Sequence, residues 1–441
     1  MNTPRSTMLS LFTLGVVLLS AGSSMSDDEK PTLATHDRWV TSVAFAPDGQ
    51  TLFTAGGESL MFRPGDVLAW DMAGGNQRKA FEGHDTNVWC VAVTSDGATI
   101  ATSGYDGKVI LWDAAQGKAK HTLEHKGWVR RVAFSPDGIT LAVAGEDGTV
   151  KLWNAESGEA KQDIKAHEAA VYGLEFSPDG KQLATAGIDK LVKLWNAADG
   201  TEQGKLEGHE DAVWDVKYSP DGSTIASAGA DRTVRIWNSQ GQLQATLVGH
   251  SNWVTSLAFS SDGKQLASGS HDRTARIWNL EPAMKLSDMA AEVAQKVRDA
   301  RLAHSEAELA AEAAAREAGD AEAKVERLQK SLADQQDAKK QEELKKELAE
   351  AEKAVPTALQ QRDTTKARSD ETGKQLTAAQ QESNQLQAQM AVEFPPLESS
   401  IWSVALSPDG KRLAVGSHRE GATIWNVEDR SEVFPSPESK K

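Results

Sequence analysis

The sequence has one cysteine, Cys90, among 441 residues, and this excludes an intramolecular disulfide. Cys90 lies in a predicted strand, where we expect a packed thiol without a catalytic role. Basic residues are also fewer than acidic ones, since the chain has 48 lysines and arginines and 64 aspartates and glutamates, which gives a net charge of -16. A phosphate-backbone partner normally requires a clustered basic face. We therefore expect no nucleic-acid partner.

Catalytic and metal-binding groups are scarce as well. A single cysteine rules out the Cys-x-x-Cys spacing of many metal sites. His271 and His418 stand apart from the repeated histidines described below, but no acidic residue is obviously paired with them. We predict no enzyme activity, no catalytic residue, no metal and no cofactor.

The N-terminal region contains the order of segments that is typical of a secretory signal peptide. Arg5 is followed by an apolar run over residues 8–19 and by small residues at 20–24. This run of about twelve residues is short for a permanent membrane span. We predict a signal peptide over residues 1–26, export to the periplasm or the extracellular space, and no stable membrane insertion after cleavage. An uncleaved anchor or a disordered start is the alternative.

The remainder of the chain is dominated by a repeat of 41 or 42 residues. Its clearest copy, residues 208–238, reads GHEDAVWDVKYSPDGSTIASAGADRTVRIWN. Three short β-type runs are separated by turns, and a fourth run ends at the Gly-His pair that opens the next copy. Each copy is therefore a four-stranded antiparallel unit. Seven copies are marked by a tryptophan near the end of the third run: Trp70, Trp112, Trp153, Trp195, Trp237, Trp278 and Trp425.

Gly-His at one end of this period and Trp-Asp or Trp-Asn at the other resemble the WD-repeat β-propeller family, over residues 33–280 and 391–434. The resemblance implies an all-β seven-bladed β-propeller. Blades one to six would occupy residues 27–280, and the end of blade six with blade seven would occupy 391–434. A strand at residues 33–35 would complete blade seven, and residues 435–441 would form a disordered tail.

The resemblance also implies a buried hydrogen-bonded chain of histidine, serine or threonine, aspartate and tryptophan in each blade. Copy three has Val143 at the hydroxyl position, copy one has Pro64 at the aspartate position, and copy seven keeps only its tryptophan. Four copies have complete sets: His84, Thr102, Asp106, Trp112; His167, Thr185, Asp189, Trp195; His209, Ser227, Asp231, Trp237; and His250, Ser268, Asp272, Trp278.

Residues 281–390 interrupt the repeat with strong helix formers and with apolar residues at steps of three and four. This pattern predicts an antiparallel α-helical coiled-coil hairpin, inserted between strands three and four of blade six and on the order of 75 Å long. We expect its tip near residues 334–340, kinks or loosening at Gly319, Pro356 and Gly373, and projection from the face opposite the Gly-His turns. A homo-oligomer could form through residues 282–390. A disordered charged insert is the alternative.

Six tryptophans do not belong to the blade motif, and each lies beside the apolar residue four positions after the repeated histidine position. By the resemblance, these positions and the residue before the motif aspartate surround the mouth of the central channel. Aromatic faces with a few charges are typical of contact sites. Arg63 joins them from a six-residue extension in copy one. The candidate binding residues are Trp39, Arg63, Trp89, Tyr105, Trp128, Arg130, Tyr172, Trp214, Trp253, His271, Trp402 and His418.

These observations predict an exported, non-enzymatic scaffold that binds a protein segment or peptide at an aromatic mouth, with the helical arm as a second contact surface. Two alternatives stay open at this point. The surplus tryptophans could wedge between blades and only close the ring. The mouth could instead be a receptor for a small ligand, either a glycan or an amine.

Overall fold

The structure is a computed structural model that describes residues 39–57, 63–419 and 421–433. Several predictions fall outside the described residues. They are the signal peptide, the strand at residues 33–35, most of the extended loop in copy one and the C-terminal tail. These stay predictions.

The described residues form seven antiparallel sheets, one for each copy of the repeat, and the strands of each sheet follow the order of the chain. Blade one contains β1 (Trp39–Phe45), β2 (Thr51–Gly57), β3 (Gly65–Asp71) and β4 (Gln77–Ala80). Blade two contains β5 (Val88–Val93), β6 (Thr99–Gly104), β7 (Lys108–Asp113) and β8 (Ala119–Glu124). Blade three contains β9 (Val129–Phe134), β10 (Thr140–Gly145), β11 (Thr149–Asn154) and β12 (Ala160–Lys165).

The remaining four sheets repeat this arrangement. Blade four contains β13 (Val171–Phe176), β14 (Gln182–Gly187), β15 (Val192–Asn196) and β16 (Glu202–Leu206). Blade five contains β17 (Val213–Tyr218), β18 (Thr224–Gly229), β19 (Thr233–Asn238) and β20 (Leu243–Val248). Blade six contains β21 (Val254–Phe259), β22 (Gln265–Ser270), β23 (Ala275–Asn279) and β24 (Ala391–Glu393). Blade seven contains β25 (Ile401–Leu406), β26 (Arg412–Ser417) and β27 (Ala422–Asn426).

The blades close into a ring through their first strands. Each first strand contacts the first strands of both neighbouring blades, and β25 of blade seven contacts β1 of blade one. A buried apolar cluster lies between each pair of neighbouring blades. Between blades four and five, for example, Leu194 packs in one cluster with Val216 and Trp237. The predicted seven-bladed propeller is therefore confirmed, because each sheet buries a face that it could not bury alone.

Asp-Gly turns join the first and second strands of most blades and mark one face of the ring. In blade five, Asp221 Oδ1 accepts hydrogen bonds from the Ser223 amide at 3.0 Å and from Ser219 Oγ at 2.6 Å. Gly222 follows with φ of 71°, a left-handed conformation that glycine adopts without a steric cost. The turn chemistry therefore fixes where each hairpin reverses, and with it the register of the blade.

The polar chain of the complete blades has the geometry that the resemblance implies. In blade five, His209 Nδ1 lies 2.8 Å from Asp231 Oδ2, and His209 Nε2 lies 2.7 Å from Ser227 Oγ. The Trp237 indole N–H donates to Ser227 Oγ at 2.9 Å. Blades two, four and six contain the same three contacts.

Burial determines the protonation of these chains. It lowers the pKa of His167 and His250, although the aspartate bonded to each histidine acts in the opposite direction. Burial alone would raise the pKa of Asp231, but the hydrogen bond from His209 and the other donors hold that pKa at about 2. In blades four and six, the neutral histidine therefore donates from Nδ1 to its aspartate and accepts the hydroxyl proton at Nε2.

Blade three lacks this chain, as Val143 implies. His125 Nδ1 lies 3.1 Å from the Lys126 carbonyl oxygen, and His125 Nε2 has no hydrogen-bond partner. The Trp153 indole N–H is likewise buried without a partner. In blade one, by contrast, the Trp70 N–H donates to Thr54 Oγ1 at 2.9 Å.

The insertion between β23 and β24 is a hairpin of two helices, α1 (Leu280–Asp334) and α2 (Ala338–Met390), which pack against each other. His304 Nδ1 lies 3.2 Å from Thr372 Oγ1, a contact that requires antiparallel helices. At ~1.5 Å per residue, each helix is about 80 Å long. No helix in the described part of the chain is both long enough and apolar enough to cross a membrane.

Both helices continue through Gly319, Pro356 and Gly373, so the expected kinks at these residues stay a prediction. The tip lies at residues 335–337, inside the predicted range. Asp337 caps α2 by accepting the amides of Lys339 and Lys340 at 2.9 and 3.1 Å. This aspartate is the turn signal that the sequence analysis missed.

The base of the hairpin lies along the outer side of the ring. The insertion leaves beside an Asp-Gly turn, as predicted, because the Leu280 amide donates to the Lys264 carbonyl at 3.0 Å. The first turns of α1 then pack along β20, where Ala283 joins a buried cluster with Leu247. Gln387 of α2 donates to the Val248 carbonyl at 3.4 Å, at the Gly-His end of that strand. The base of the arm therefore runs along the outer edge of blade five toward its Gly-His end, and the predicted projection from the opposite face is wrong.

Candidate binding site at the mouth of the channel

The first strand of every blade contains a β-bulge at the same position. In blade five, Val213 pairs with Gly229 and Asp215 pairs with Ala228, so Trp214 between them has no opposite residue. A bulge adds a residue that is not part of the regular ladder and redirects its side chain. We call the seven bulged residues the collar: Thr41, Trp89, Arg130, Tyr172, Trp214, Thr255 and Trp402.

All seven collar residues, together with Arg131, line one cavity of about 40 Å³. The collar is therefore the narrow part of the channel, and one residue from each blade contributes to it. Thr41 and Thr255 donate their hydroxyls to backbone carbonyls, and the other five residues present aromatic faces or a guanidinium. The positions before and after the apolar anchor form one group in the sequence, but the bulge places them in two different tiers.

A second tier, which we call the rim, lies above the collar. It consists of the residue before each anchor and the residue before the motif aspartate, and backbone hydrogen bonds hold the two together. The His271 amide donates to the Trp253 carbonyl at 2.9 Å, and the two rings stack with centroids 5.3 Å apart. The candidate residues in the rim are Trp39, Tyr105, Trp128, Trp253, His271 and His418.

The collar and rim side chains form one closed circuit of ring contacts. Trp253 stacks on Trp214 at 5.6 Å and His271 meets Trp402 at 4.6 Å. On one side the circuit continues from Trp402 to Trp89, whose ring centroids are 6.0 Å apart, and on the other from Trp214 to Tyr172, at 4.4 Å. The Arg130 guanidinium closes it, because it lies 4.2 Å from the Trp89 ring and 5.5 Å from the Tyr172 ring.

The other candidate residues are attached to this circuit or lie beside it. Tyr105 lies 5.4 Å from Trp89 and 4.0 Å from Trp128, measured between ring centroids. Trp39 and His418 pair across blades one and seven at 4.1 Å. Burial and the nearby His418 lower the pKa of His271. Arg63 is exposed, at the end of a loop whose residues 58–62 lie outside the described residues, so its role stays a prediction.

The surplus tryptophans are not wedges between blades. None of the six belongs to any of the seven apolar clusters that join neighbouring sheets. Their rings are half-buried, except that of Trp253, which is 41% exposed. The structure therefore places them on the channel wall and not in the core.

Several polar atoms of the circuit are buried without a hydrogen-bond partner. They are the indole nitrogens of three collar tryptophans, the Arg130 Nε and the His271 Nε2. Within residues 39–57, 63–419 and 421–433, no carboxylate forms an ion pair with Arg130. Buried polar groups in proteins are normally paired, so this cluster of unpaired groups needs an explanation. The three tryptophans are Trp89, Trp214 and Trp402.

Below the collar the channel widens into a cavity of about 440 Å³ whose charges are paired. Arg131 contacts Asp215 at 2.9 Å, and Lys217 contacts Glu175 at 3.2 Å. Asp215 is fully buried and also accepts the Leu257 amide of the next blade at 2.9 Å. Burial raises the pKa of Glu175, which Lys217 opposes. These groups connect blades three to six, so we assign them to ring assembly.

The described residues contain few of the side-chain groupings that catalysis or metal binding requires. They contain no cluster of three or more histidine, cysteine, aspartate or glutamate side chains that could hold a metal ion. Asp272, which acts on the pKa of His271, is itself bound to His250 at 2.9 Å. Cys90 is buried, and its thiol contacts the Val132 carbonyl oxygen at 3.8 Å.

Comparison with known families agrees with this geometry. A family model described as WD domain, G-beta repeat matches seven segments that together cover more than half of the chain: residues 28–61, 75–113, 117–154, 158–196, 200–238, 241–279 and 393–426. The chain belongs to the WD-repeat family. Proteins of this family mediate protein interactions, so protein binding is the general function that membership supports.

Individual relatives match this WD-repeat protein over about a hundred residues. Eukaryotic translation initiation factor 3 subunit I of Mycosarcoma maydis is 31% identical over 23% of the chain and 27% of its own length. Small ribosomal subunit protein RACK1 of Candida albicans is 31% identical over 23% of the chain and 31% of its own length. Small ribosomal subunit protein RACK1y of Oryza sativa is 33% identical over 20% of the chain and 25% of its own length. The chain thus spans about a quarter to a third of these relatives.

The prediction of export is wrong by this comparison, since the relatives are by name a translation initiation factor subunit and small ribosomal subunit proteins. The prediction depended on a run of about twelve apolar residues preceded by one arginine. A pattern so short and so weakly charged does not distinguish a leader from other apolar segments.

Proposed function

We propose that this WD-repeat protein is a non-enzymatic scaffold whose channel mouth binds an extended segment of a partner protein. The observation that carries the proposal is the closed circuit of aromatic side chains and Arg130 around one opening. Clusters of tryptophan, tyrosine and arginine are typical of the residues that dominate binding energy at protein interfaces. The collar cavity of about 40 Å³ has room for the tip of one side chain, so the mouth suits an exposed segment that can insert such a tip.

The presence of Arg130 argues against the small amine considered in the sequence analysis. Its guanidinium already lies 4.2 Å from the Trp89 ring and so takes one of the aromatic faces that a ligand cation could use. Two like charges at such a separation repel each other, more strongly where burial excludes water. A glycan is not disfavoured by this argument, and the experiment below includes it.

The test selects ligands on the full-length protein from a random 12-residue peptide library and measures their affinity by calorimetry. Replacing Trp253, the exposed member of the circuit, with alanine should weaken binding by about tenfold or more, as expected for an interface anchor. The matched control is Ile139→Ala, which alters a side chain that is 52% exposed beside an Asp-Gly turn. Peptides that bind W253A and W214A as tightly as wild type would contradict the proposal. Saturable binding of glycans with no peptide recovered would replace it.

The proposal includes the helical hairpin as a second contact surface, used by another copy of this chain. Leu302 and Leu309 of α1 are 63% and 66% exposed and are seven residues apart, so they lie on the same side of the helix. We expect the double variant L302S/L309S to sediment as a monomer at concentrations where the wild type associates. Leu243→Ser, at a residue that is 44% exposed on the ring, is the control. Wild-type protein that is monomeric at every concentration would remove this part of the proposal.

A further inference from the structure

We propose that the mouth recognises an acidic residue of the bound segment, whose carboxylate enters the collar and pairs with Arg130 and the neighbouring indole N–H groups. This inference depends on the proposed function, because it names the chemistry of the segment that the mouth binds. It goes further in stating which side chain must reach the narrowest point of the channel.

The first support is that the unpaired polar atoms of the collar are donors. An indole N–H and a guanidinium N–H can donate a hydrogen bond but cannot accept one. The N–H groups of Trp89, Trp214 and Trp402 and the Nε of Arg130 are all buried without a protein acceptor. Because these donors belong to residues that line the collar cavity, only an acceptor that reaches them would satisfy them. A carboxylate offers about four acceptor positions on two oxygens, more than an amide or a hydroxyl can.

The second support is charge. The Arg130 guanidinium lies against the Trp89 and Tyr172 rings, and no carboxylate of the described residues pairs with it. The other basic group at the collar, Arg131, is already paired with Asp215 at 2.9 Å. Glu146 is the acidic residue of the rim, and it is exposed. In a chain of net charge -16, an unpaired arginine at the channel constriction is a specific site for an anion.

The third support is size. A cavity of about 40 Å³ has room for roughly three water-sized groups. A carboxylate has three heavy atoms, whereas a phosphate has five. The rim aromatics above the collar then contact the residues on either side of the acidic one. This division resembles a common design of binding sites, in which a few polar groups fix the orientation and apolar surfaces surround them.

The experiment uses the 12-residue library described above, and sequencing of the selected peptides. We expect a central aspartate or glutamate in the recovered sequences, and a loss of affinity of about 10- to 100-fold when that residue becomes asparagine or glutamine. Arg130→Gln should cause a similar loss of affinity. Trp214→Phe keeps an aromatic face but removes one N–H, and should weaken binding by about three- to tenfold. Binding should weaken with added salt. Arg232→Gln, at an exposed arginine in a loop of blade five, is the charge-matched control.

The outcomes separate this inference from the proposed function. Peptides that require Trp253 but show no acidic preference and bind R130Q normally would overturn the carboxylate and leave the scaffold in place. Failure to recover any peptide would overturn both. A phosphoserine peptide that binds more tightly than its glutamate counterpart would replace the carboxylate by a phosphate. Circular dichroism of R130Q and W214F, with thermal melting, shows whether a loss of binding comes from misfolding.

Discussion

The tryptophans of the blades and those of the mouth have the same side chain in two different settings. In blades one, two, four, five and six, the motif tryptophan donates its N–H to a serine or threonine hydroxyl at 2.8 or 2.9 Å. The collar tryptophans have no partner for the same atom. Motif rings such as that of Trp237, 2% exposed, are in apolar clusters, and collar rings are half-buried on the channel wall.

Structural and binding tryptophans are distinguished by two features together, a position on the channel wall and an unpaired N–H, because the motif Trp153 is also unpaired but packs against an apolar cluster. A buried donor that is satisfied within the blade has no hydrogen bond to offer to a ligand. An unsatisfied donor has a cost in the free protein that an acceptor can remove on binding. The position in the repeat identifies the structural tryptophans. The binding tryptophans can be identified only from the hydrogen bonds of the folded ring.

The largest expected effect is a difference in stability between the two classes. Trp237→Ala should lower the free energy of unfolding by about 3 to 5 kcal/mol, because it removes a fully buried ring and leaves a cavity. Trp214→Ala should lower it by about 1 kcal/mol, since a half-buried ring loses mainly its stacking contacts. Denaturant unfolding measures both. Equal losses would mean that the collar tryptophans are structural, like those of the blades.

A smaller effect is expected from exchanging the hydroxyl between two blades. Thr185→Val in blade four should cost about 1 to 3 kcal/mol, because His167 Nε2 and the Trp195 N–H lose their shared partner. Val143→Thr in blade three supplies that hydroxyl near the unpaired His125 Nε2 and Trp153 indole nitrogen, and should raise the free energy of unfolding by about 0.5 to 1.5 kcal/mol. Thermal melting of the two single variants provides the test. Destabilisation by both would show that blade three has adapted to valine.

The smallest effect concerns pH. Burial lowers the pKa of His167 and His250 in the folded protein, so the unfolded chain binds protons more readily below about pH 6.5. Stability from these histidines is therefore present above that pH and lost as the pH falls through it. A second loss should begin below about pH 4, because Asp231 has a folded pKa of about 2. Denaturant midpoints between pH 8 and 3 measure both steps, and a midpoint that is constant from pH 7.5 to 5 would contradict the first.

Much of the fold could be predicted because the relevant signals are local. Asp-Gly turns and the closing tryptophans fix the strands of each blade, and the change to helix formers after Asn279 marks the insertion. The tip of the hairpin was also correct within a few residues.

The candidate site was predicted as a set of residues but not as an arrangement. Trp89 and Trp128 lie on opposite sides of their anchors in the sequence, and nothing local states that one lies in the collar and the other in the rim. Likewise, Gln387 contacts the Val248 carbonyl of blade five from an insertion in blade six. Contacts of this kind join residues more than a hundred positions apart.

Local sequence signals were enough to predict the number of blades, their strands and the site of the helical insertion, because the turns within one repeat need only that repeat. The paired polar chains followed from the family resemblance. Only the tertiary structure decided which side chains face the channel and which donors are left unpaired. A bulge turns one residue of each blade inward, but the ring must close before seven such residues meet around a single cavity.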